Sequence, residues 1–359
     1  MFEATTQALI YRILLATAVI FTAIYLLLRQ KYISNKFIAD FGMFSLLLFC
    51  IFFIGYREWW NEDVFVDSVR YGGFYIEYLA GKIIDSEEAR DIGFEIMTQT
   101  CANLGLSIDL YFLICAFLYV FPLYLVSYKL SQNNFIVFFM MLITAMSFYG
   151  YGVNGIRNGI ATSLLLLAMV NYKRTLYALI LSVIAISFHK SVVLPFLSLI
   201  CVSCYTNVRF YLKIWLMAIP LSFVINKLFT DILLSISFIA DRAEEYLTGE
   251  ADSSVFSSTG FRIDFLLYSS VPILIGYYFI LRKSFTNKLY EILLCSYMLS
   301  NSVWILLNQV PFSNRFAYLS WFIMPVLIIY PFISVEWLPY RYSKISLIIF
   351  LHFAFTLCV

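Results

Sequence analysis

Residues 175–206 run TLYALILSVIAISFHKSVVLPFLSLICVSCYT, an apolar stretch interrupted near its middle by His189 and Lys190. How often this stretch crosses a membrane decides the topology of everything after it. A helix needs about 20 apolar residues to cross a bilayer. Read as one long helix, the stretch would put Arg282, Lys283 and Lys288 outside and the acidic 232–263 segment inside. That violates the excess of Lys and Arg on cytoplasmic loops. Two crossings that turn at His189–Lys190 restore the rule. At about 1.5 Å per residue, 175–188 covers only about 21 Å. Either the bilayer is thinned here, or the turn sits below the outer surface and lines a cavity, the setting in which short helices are tolerated at membrane depth.

Working outward, the same template places spans near 8–28, 38–56, 105–127, 133–150, 157–172, 175–188, 190–206, 214–231, 264–281, 289–308, 316–333 and 345–358. The expectation is an all-α polytopic integral membrane protein with about twelve transmembrane helices, ten to twelve being compatible with the pattern. It forms a single membrane domain over 1–359, with two partly helical external loops at 57–104 and 232–263. No internal repeat is evident. The composition agrees: 62% of the 359 residues are hydrophobic and 13% are charged, against about 45–50% and about 25% in soluble domains. A soluble core, a nucleic-acid binder and a disulfide scaffold are thereby excluded. Cys201 and Cys204 form a C-x-x-C without a second pair or a nearby His, so packing is expected of them rather than zinc.

The net charge of +2 hides a segregation. With the loop 29–37 inside, thirteen of the 24 basic residues fall on the inner side with only Asp40, Glu291 and Glu336, and the other nineteen acids fall outside. Both termini are then outside. Against this trend stand Arg57, Arg157, Lys190, Arg242, Arg262 and Arg315, all placed externally, four of them at helix ends. Charges at such depths are costly and mark substrate pathways, and an Arg fork suits bidentate phosphate binding. Snorkelling to lipid phosphates is the bland alternative for any one of them. Together they point to an anionic, diphosphate-type ligand at the outer leaflet.

Local contexts add detail. Tyr149-Gly150-Tyr151-Gly152-Val153-Asn154-Gly155-Ile156-Arg157-Asn158-Gly159 is Gly-rich and aromatic and opens a helix, where free N–H groups favour anions; an ordinary turn is the alternative. Pro311-Phe312-Ser313-Asn314-Arg315-Phe316 repeats the logic. His189 titrates nearest neutral pH and could serve as base or phosphate contact, whereas His352 reads as a packed helix residue. The segment 57–104 carries ten acids, Glu58, Glu62, Asp63, Asp67, Glu77, Asp85, Glu87, Glu88, Asp91 and Glu95, read mainly as a solvated face. Asp63, close to Arg57, is singled out among them. Trp59-Trp60 fits an interfacial aromatic belt.

Several short segments, in a consistent order, resemble the EpsG/Wzy-like polysaccharide polymerases of bacterial membranes. They are Gly55-Tyr56-Arg57 with Asp63, Gly93-Phe94-Glu95, Gly155-Ile156-Arg157-Asn158-Gly159-Ile160-Ala161, Phe188-His189-Lys190-Ser191, and Asn314-Arg315-Phe316 with Tyr318. Departures are Glu62, where small residues are frequent, Asp67, where Tyr is common, and Asn158, where Gln is frequent. The resemblance implies transfer of a growing glycan from an undecaprenyl-diphosphate carrier to another lipid-linked repeat unit, building O-antigen, capsule or exopolysaccharide. The setting is the external leaflet of the bacterial cytoplasmic (inner) membrane, with the active site facing the periplasm.

On that basis Arg157 and Arg315 are expected to hold the diphosphate, with Arg57, Arg242 and Arg262 assisting. His189 and then Asp63 are the candidate bases, and Asn158, Lys190, Asn314, Glu95 and Tyr318 contact substrate. The leaving diphosphate needs charge stabilisation, which arginines supply, so a metal-independent glycosyltransferase with no cofactor is expected. Its partners are the lipid-linked donor and acceptor glycans, membrane lipids and a chain-length regulator, and no nucleic acid. The alternatives are a ligase of related architecture and a lipid-linked-glycan flippase or transporter. A transporter would place its polar sites at the midplane within repeats.

Overall fold

The computed structural model describes residues 4–31, 36–62, 64–82, 91–235, 261–308 and 314–358. The described residues form α1 (Ala4–Lys31), α2 (Lys36–Gly55), α3 (Val66–Leu79), α4 (Ile92–Asn103), α5 (Ile108–Leu130), α6 (Phe135–Ile143), α7 (Met146–Val153), α8 (Ile156–Val170) and α9 (Thr175–Phe188). A 3-10 turn (Lys190–Val192) leads into α10 (Val193–Cys204), then come α11 (Val208–Ser235), α12 (Ile263–Gly276), a π-helical turn (Tyr277–Arg282), α13 (Lys288–Leu306), α14 (Asn314–Trp321), α15 (Met324–Ser334) and α16 (Arg341–Cys358). No strand occurs among them, as expected where lipid offers no partner for backbone N–H and C=O groups.

The predicted spans fall mainly on helical residues, with breaks at 144–145 and 322–323, and the all-α polytopic reading holds, though not the count of twelve. Among the described residues, length and composition qualify five helices to cross by themselves: Thr6–Arg29, Ile108–Leu130, Ile263–Arg282, Lys288–Leu306 and Arg315–Ser334. A sixth arises if α6 and α7 count as one. Those two replace the straight helix expected over 133–150 and bend by 68°. The cause is local. Ala145 takes extended angles (φ −66°, ψ 144°), and the Thr144 hydroxyl turns back onto the Met140 carbonyl at 2.7 Å. The same hydroxyl lies 3.2 Å from His352 Nδ1, so this packed histidine does have a polar neighbour.

By contact density the chain divides into two compact units, Met1–Val192 with Phe332–Val359, and Val193–Pro331. In the first, α6 is the centre. All nine of its residues are buried, wrapped by α1, α2, α5 and α16. Next to it α8 packs between α5 and α9, while α3 leans on α4 and α5 and α4 leans on α9. In the second unit α13 touches α10, α11, α12 and α14. Its Asn301 amide accepts from Trp215 Nε1 (2.8 Å) and donates to Ser269 (3.2 Å) and Ser320 (3.0 Å). Such bonds matter because lipid tails are as apolar as the helices, so packing and polar bridges hold them together.

The outer faces are apolar. Phe21 is 68% exposed and Val183 63%, surfaces that suit acyl chains and would drive association in water. Cys201 and Cys204, expected to pack, instead lie exposed on α10. Of the tryptophan pair, Trp60 is exposed, while Trp59 turns inward against Phe112.

Candidate functional site

The site residues of the first unit gather where α2 and α9 end and α4 and α8 begin. Beyond Gly55, which abuts the α5 backbone at Leu113, Arg57 folds inward and is only 2% exposed. Its Nε donates to Ser68 Oγ (2.9 Å) and its Nη1 to the Ile54 carbonyl (2.9 Å). The guanidinium lies 4.3 Å from the centre of the Phe112 ring. Ser68 in turn donates to the Val153 carbonyl at the end of α7. Burial pulls the Arg57 guanidinium down to about 10, which leaves it protonated at neutral pH. Arg57 therefore clasps the Gly-rich break from beneath and does not face outward.

The break itself is built by close approaches. Asn154 donates to the Val64 carbonyl (3.0 Å), tying the α7–α8 corner to the segment before α3. A Cβ on Gly159 would stand 2.9 Å from the Tyr151 carbonyl oxygen, so only glycine lets α8 fold back so tightly against α7.

At the second residue of α8, Arg157 meets two partners. Its Nε donates to the Tyr71 hydroxyl (3.0 Å) and its Nη1 to Asp91 Oδ2 (3.0 Å). Ser68 and Tyr71 sit one helical turn apart on α3, so this helix receives both arginines. Burial raises the Tyr71 phenol above its ordinary range, so the oxygen stays protonated and accepts from Nε–H. The third nitrogen, Nη2, makes no hydrogen bond among the described residues, and 24% of the Arg157 side chain remains exposed.

Asp91 changes the expected picture. It was placed among acids on a solvated face, yet it is 2% exposed. It stands at the N-cap position of α4 without capping that helix. Its carboxylate turns away to Arg157, and its Oδ1 accepts from the Lys190 N–H at 3.2 Å. This reach depends on α4 lying close to the end of α9. A Cβ on Gly93 would stand 2.9 Å from the Ser187 carbonyl carbon. Sequence reasoning missed Asp91. The available signal was an acid directly before a helix start, two residues ahead of the Gly93-Phe94-Glu95 segment.

His189 ends α9 in an extended conformation (φ −158°, ψ 115°). Its Nδ1 receives the Ser191 N–H at 3.3 Å and lies 2.5 Å from Ser191 Oγ. Because Nδ1 accepts, the neutral ring carries its proton on Nε2. The histidine thus caps the next turn through Nδ1. Glu95, one turn into α4, accepts from Tyr78 and from Gln99 (2.8 Å). Asn158 has a buried amide oxygen without a hydrogen-bond partner among the described residues.

In the second unit Arg262 precedes α12 and pairs with Asp264, at 2.9 and 2.5 Å. It also covers the Phe265 ring (3.8 Å), and its N–H is held by Asn308 (3.2 Å). Arg315 is exposed at the start of α14, with the Tyr318 ring 5.4 Å from Trp321. Asp63, Arg242 and the side chain of Asn314 lie outside the described residues.

No curated protein and no solved structure matches this chain. The model of the EpsG family, by contrast, matches residues 40–359, which take in most of α2, everything after it and every charged group described above. This helical membrane chain, with its partly buried Arg157–Asp91 pair beside a broken helix, belongs to the EpsG family.

Proposed function

We propose that the protein polymerises polyprenyl-diphosphate-linked repeat units on the outer leaflet, as a twelve-span enzyme of the bacterial cytoplasmic membrane. Membership of the EpsG family supports a polysaccharide-polymerase type of activity. The observation that carries the finer reading is Arg157, half-sheltered at a helix start, with two donors fixed by Tyr71 and Asp91 and a third left over.

In the proposed reaction a hydroxyl of the acceptor sugar attacks the anomeric carbon of the donor. The new C–O bond forms as the bond to the diphosphate breaks, and the diphosphate departs with the electron pair. The acceptor proton passes to a base, for which Asp63 is the candidate. Fixed donors that meet charge as it develops are worth about 10²–10³-fold each. Arg157 fills that role in the first unit and Arg315 in the second, with Arg262 and Arg242 assisting, and each is tested by itself.

His189, whose Nδ1 is engaged by Ser191, is kept as a phosphate contact, with Asp63 as the candidate base. Arg57 becomes a support for the break. Lys190, Asn158, Asn314, Glu95 and Tyr318 remain candidate substrate contacts.

The test is incubation of purified protein with a synthetic polyprenyl-diphosphate repeat unit. A ladder of oligomers is expected, and an unextended unit refutes the reading. In cells, loss of a polymerase leaves single repeat units on the acceptor, whereas loss of a ligase leaves none.

A further inference from the structure

We infer that Asp91 is a positioning residue that sets Arg157 and the His189–Lys190 turn with one carboxylate; this rests on the reading of Arg157 as a diphosphate contact. Oδ2 holds the Arg157 guanidinium at 3.0 Å, and Oδ1 holds the Lys190 N–H at 3.2 Å. These two groups belong to separate helical segments, α8 and the turn after α9, and Asp91 belongs to a third, just before α4.

Three features support this reading. First, Asp91 occupies an N-cap position yet leaves the N–H groups of its own helix unbonded by its side chain. The usual local use of an Asp at that place is thereby forgone for contacts far along the chain. Second, Tyr71 holds Nε while Asp91 holds Nη1, so the planar guanidinium is fixed along two edges. Nη2 is the donor that remains, and its direction is determined. Third, the pair enters its sheltered site without net charge. An unpaired guanidinium would be costly to bury there, so the carboxylate both admits Arg157 and aims it. Because the second oxygen grips Lys190, the His189 ring, capped onto Ser191, is held in register with that aim. A displaced Asp91 would misplace Arg157 and this turn together.

Chemical rescue tests this on the full chain in lipid nanodiscs. Arg157→Ala leaves a guanidinium-shaped gap beside Asp91 and Tyr71. Added guanidinium at tens of millimolar should raise the melting temperature of that variant and restore part of its turnover of the synthetic polyprenyl-diphosphate repeat unit. In the Arg157→Ala/Asp91→Asn double variant both effects should vanish. The double variant buries no uncompensated charge, and its recovery from membranes as a monodisperse species shows that it folds. No melting shift in Arg157→Ala, or equal shifts in the two variants, overturns the inference. The melting measurement needs no turnover, so it reads Asp91 even if the polymerase reading fails. Conversely, Arg157→Ala working at the wild-type rate overturns the role of Arg157 and removes the basis for a positioning partner.

Discussion

Replacing Gly93 by alanine should disable the protein through a contact that no charge or catalytic atom makes. The added Cβ would lie 2.9 Å from the Ser187 carbonyl carbon, against about 3.5–4.0 Å for comfortable carbon–carbon contact. The Ser187 hydroxyl can rotate away, but the carbonyl carbon belongs to the α9 backbone, so α4 must retreat by about 0.6–1.1 Å to reach that separation. Overpacking of this kind costs about 1–3 kcal/mol. The functional consequence is larger. The Asp91–Lys190 bond is already 3.2 Å long, and a retreat of that size takes it past about 3.2 Å, the ordinary limit for N–H···O. Misplacement of a reacting group by about 1 Å costs about 10²-fold in rate. The assay is polymer formed per mole of folded protein in nanodiscs, with melting temperature read in parallel. Gly150→Ala is the control, because a Cβ there meets nothing within 4 Å. A Gly93→Ala protein that polymerises at the wild-type rate refutes the coupling of α4 to the turn after α9.

Other outcomes follow from the same geometry. Arg157→Ala should abolish long chains while the protein stays in the membrane, and it strands buried Asp91 at a cost of up to about 3–5 kcal/mol; normal chain-length ladders would sink the diphosphate assignment. His189→Gln keeps an acceptor and an N–H donor, so activity should fall by less than about 10²-fold, the lower end of general-base contributions. A larger fall with loss of the acidic limb of the pH profile would return His189 to the role of base. With Cys201 and Cys204 replaced by serine, a membrane-impermeant thiol reagent on intact cells should label His189→Cys and spare Phe285→Cys. The reverse pattern overturns the twelve-span orientation. Asn301→Leu leaves Trp215, Ser269 and Ser320 without their shared partner and should lower the melting temperature, each lost bond being worth about 0.6 kcal/mol; an unchanged melting temperature argues against the network.

The helices were legible because lipid leaves the backbone no choice, and because spans such as Ile108–Leu130 are long and apolar without interruption. The break at His189–Lys190 was legible for the complementary reason, two polar residues set into an otherwise apolar run. The bend between α6 and α7 was not, since nothing in PheIleVal-type apolar sequence marks Thr144 as the point where a hydroxyl and an extended Ala145 replace a helical turn. Arg57 and Arg157 were both recognisable as cations on the wrong side. Their different fates were not recognisable: one is buried under α3 and one is left partly open.

What the sequence determined by itself is the class, the helical segments, the family resemblance and the short set of polar residues that could act. Each of these depends on local composition and spacing, which the chain carries wherever it folds. What only the tertiary structure decided is the partnering. Asp91 looks like one of ten acids in a hydrophilic segment, and it becomes a buried clasp because Gly93 lets α4 approach α9 closely enough for a carboxylate to span two helices. Burial and hydrogen-bond partners belong to pairs of segments distant in the chain, so no local pattern can state them.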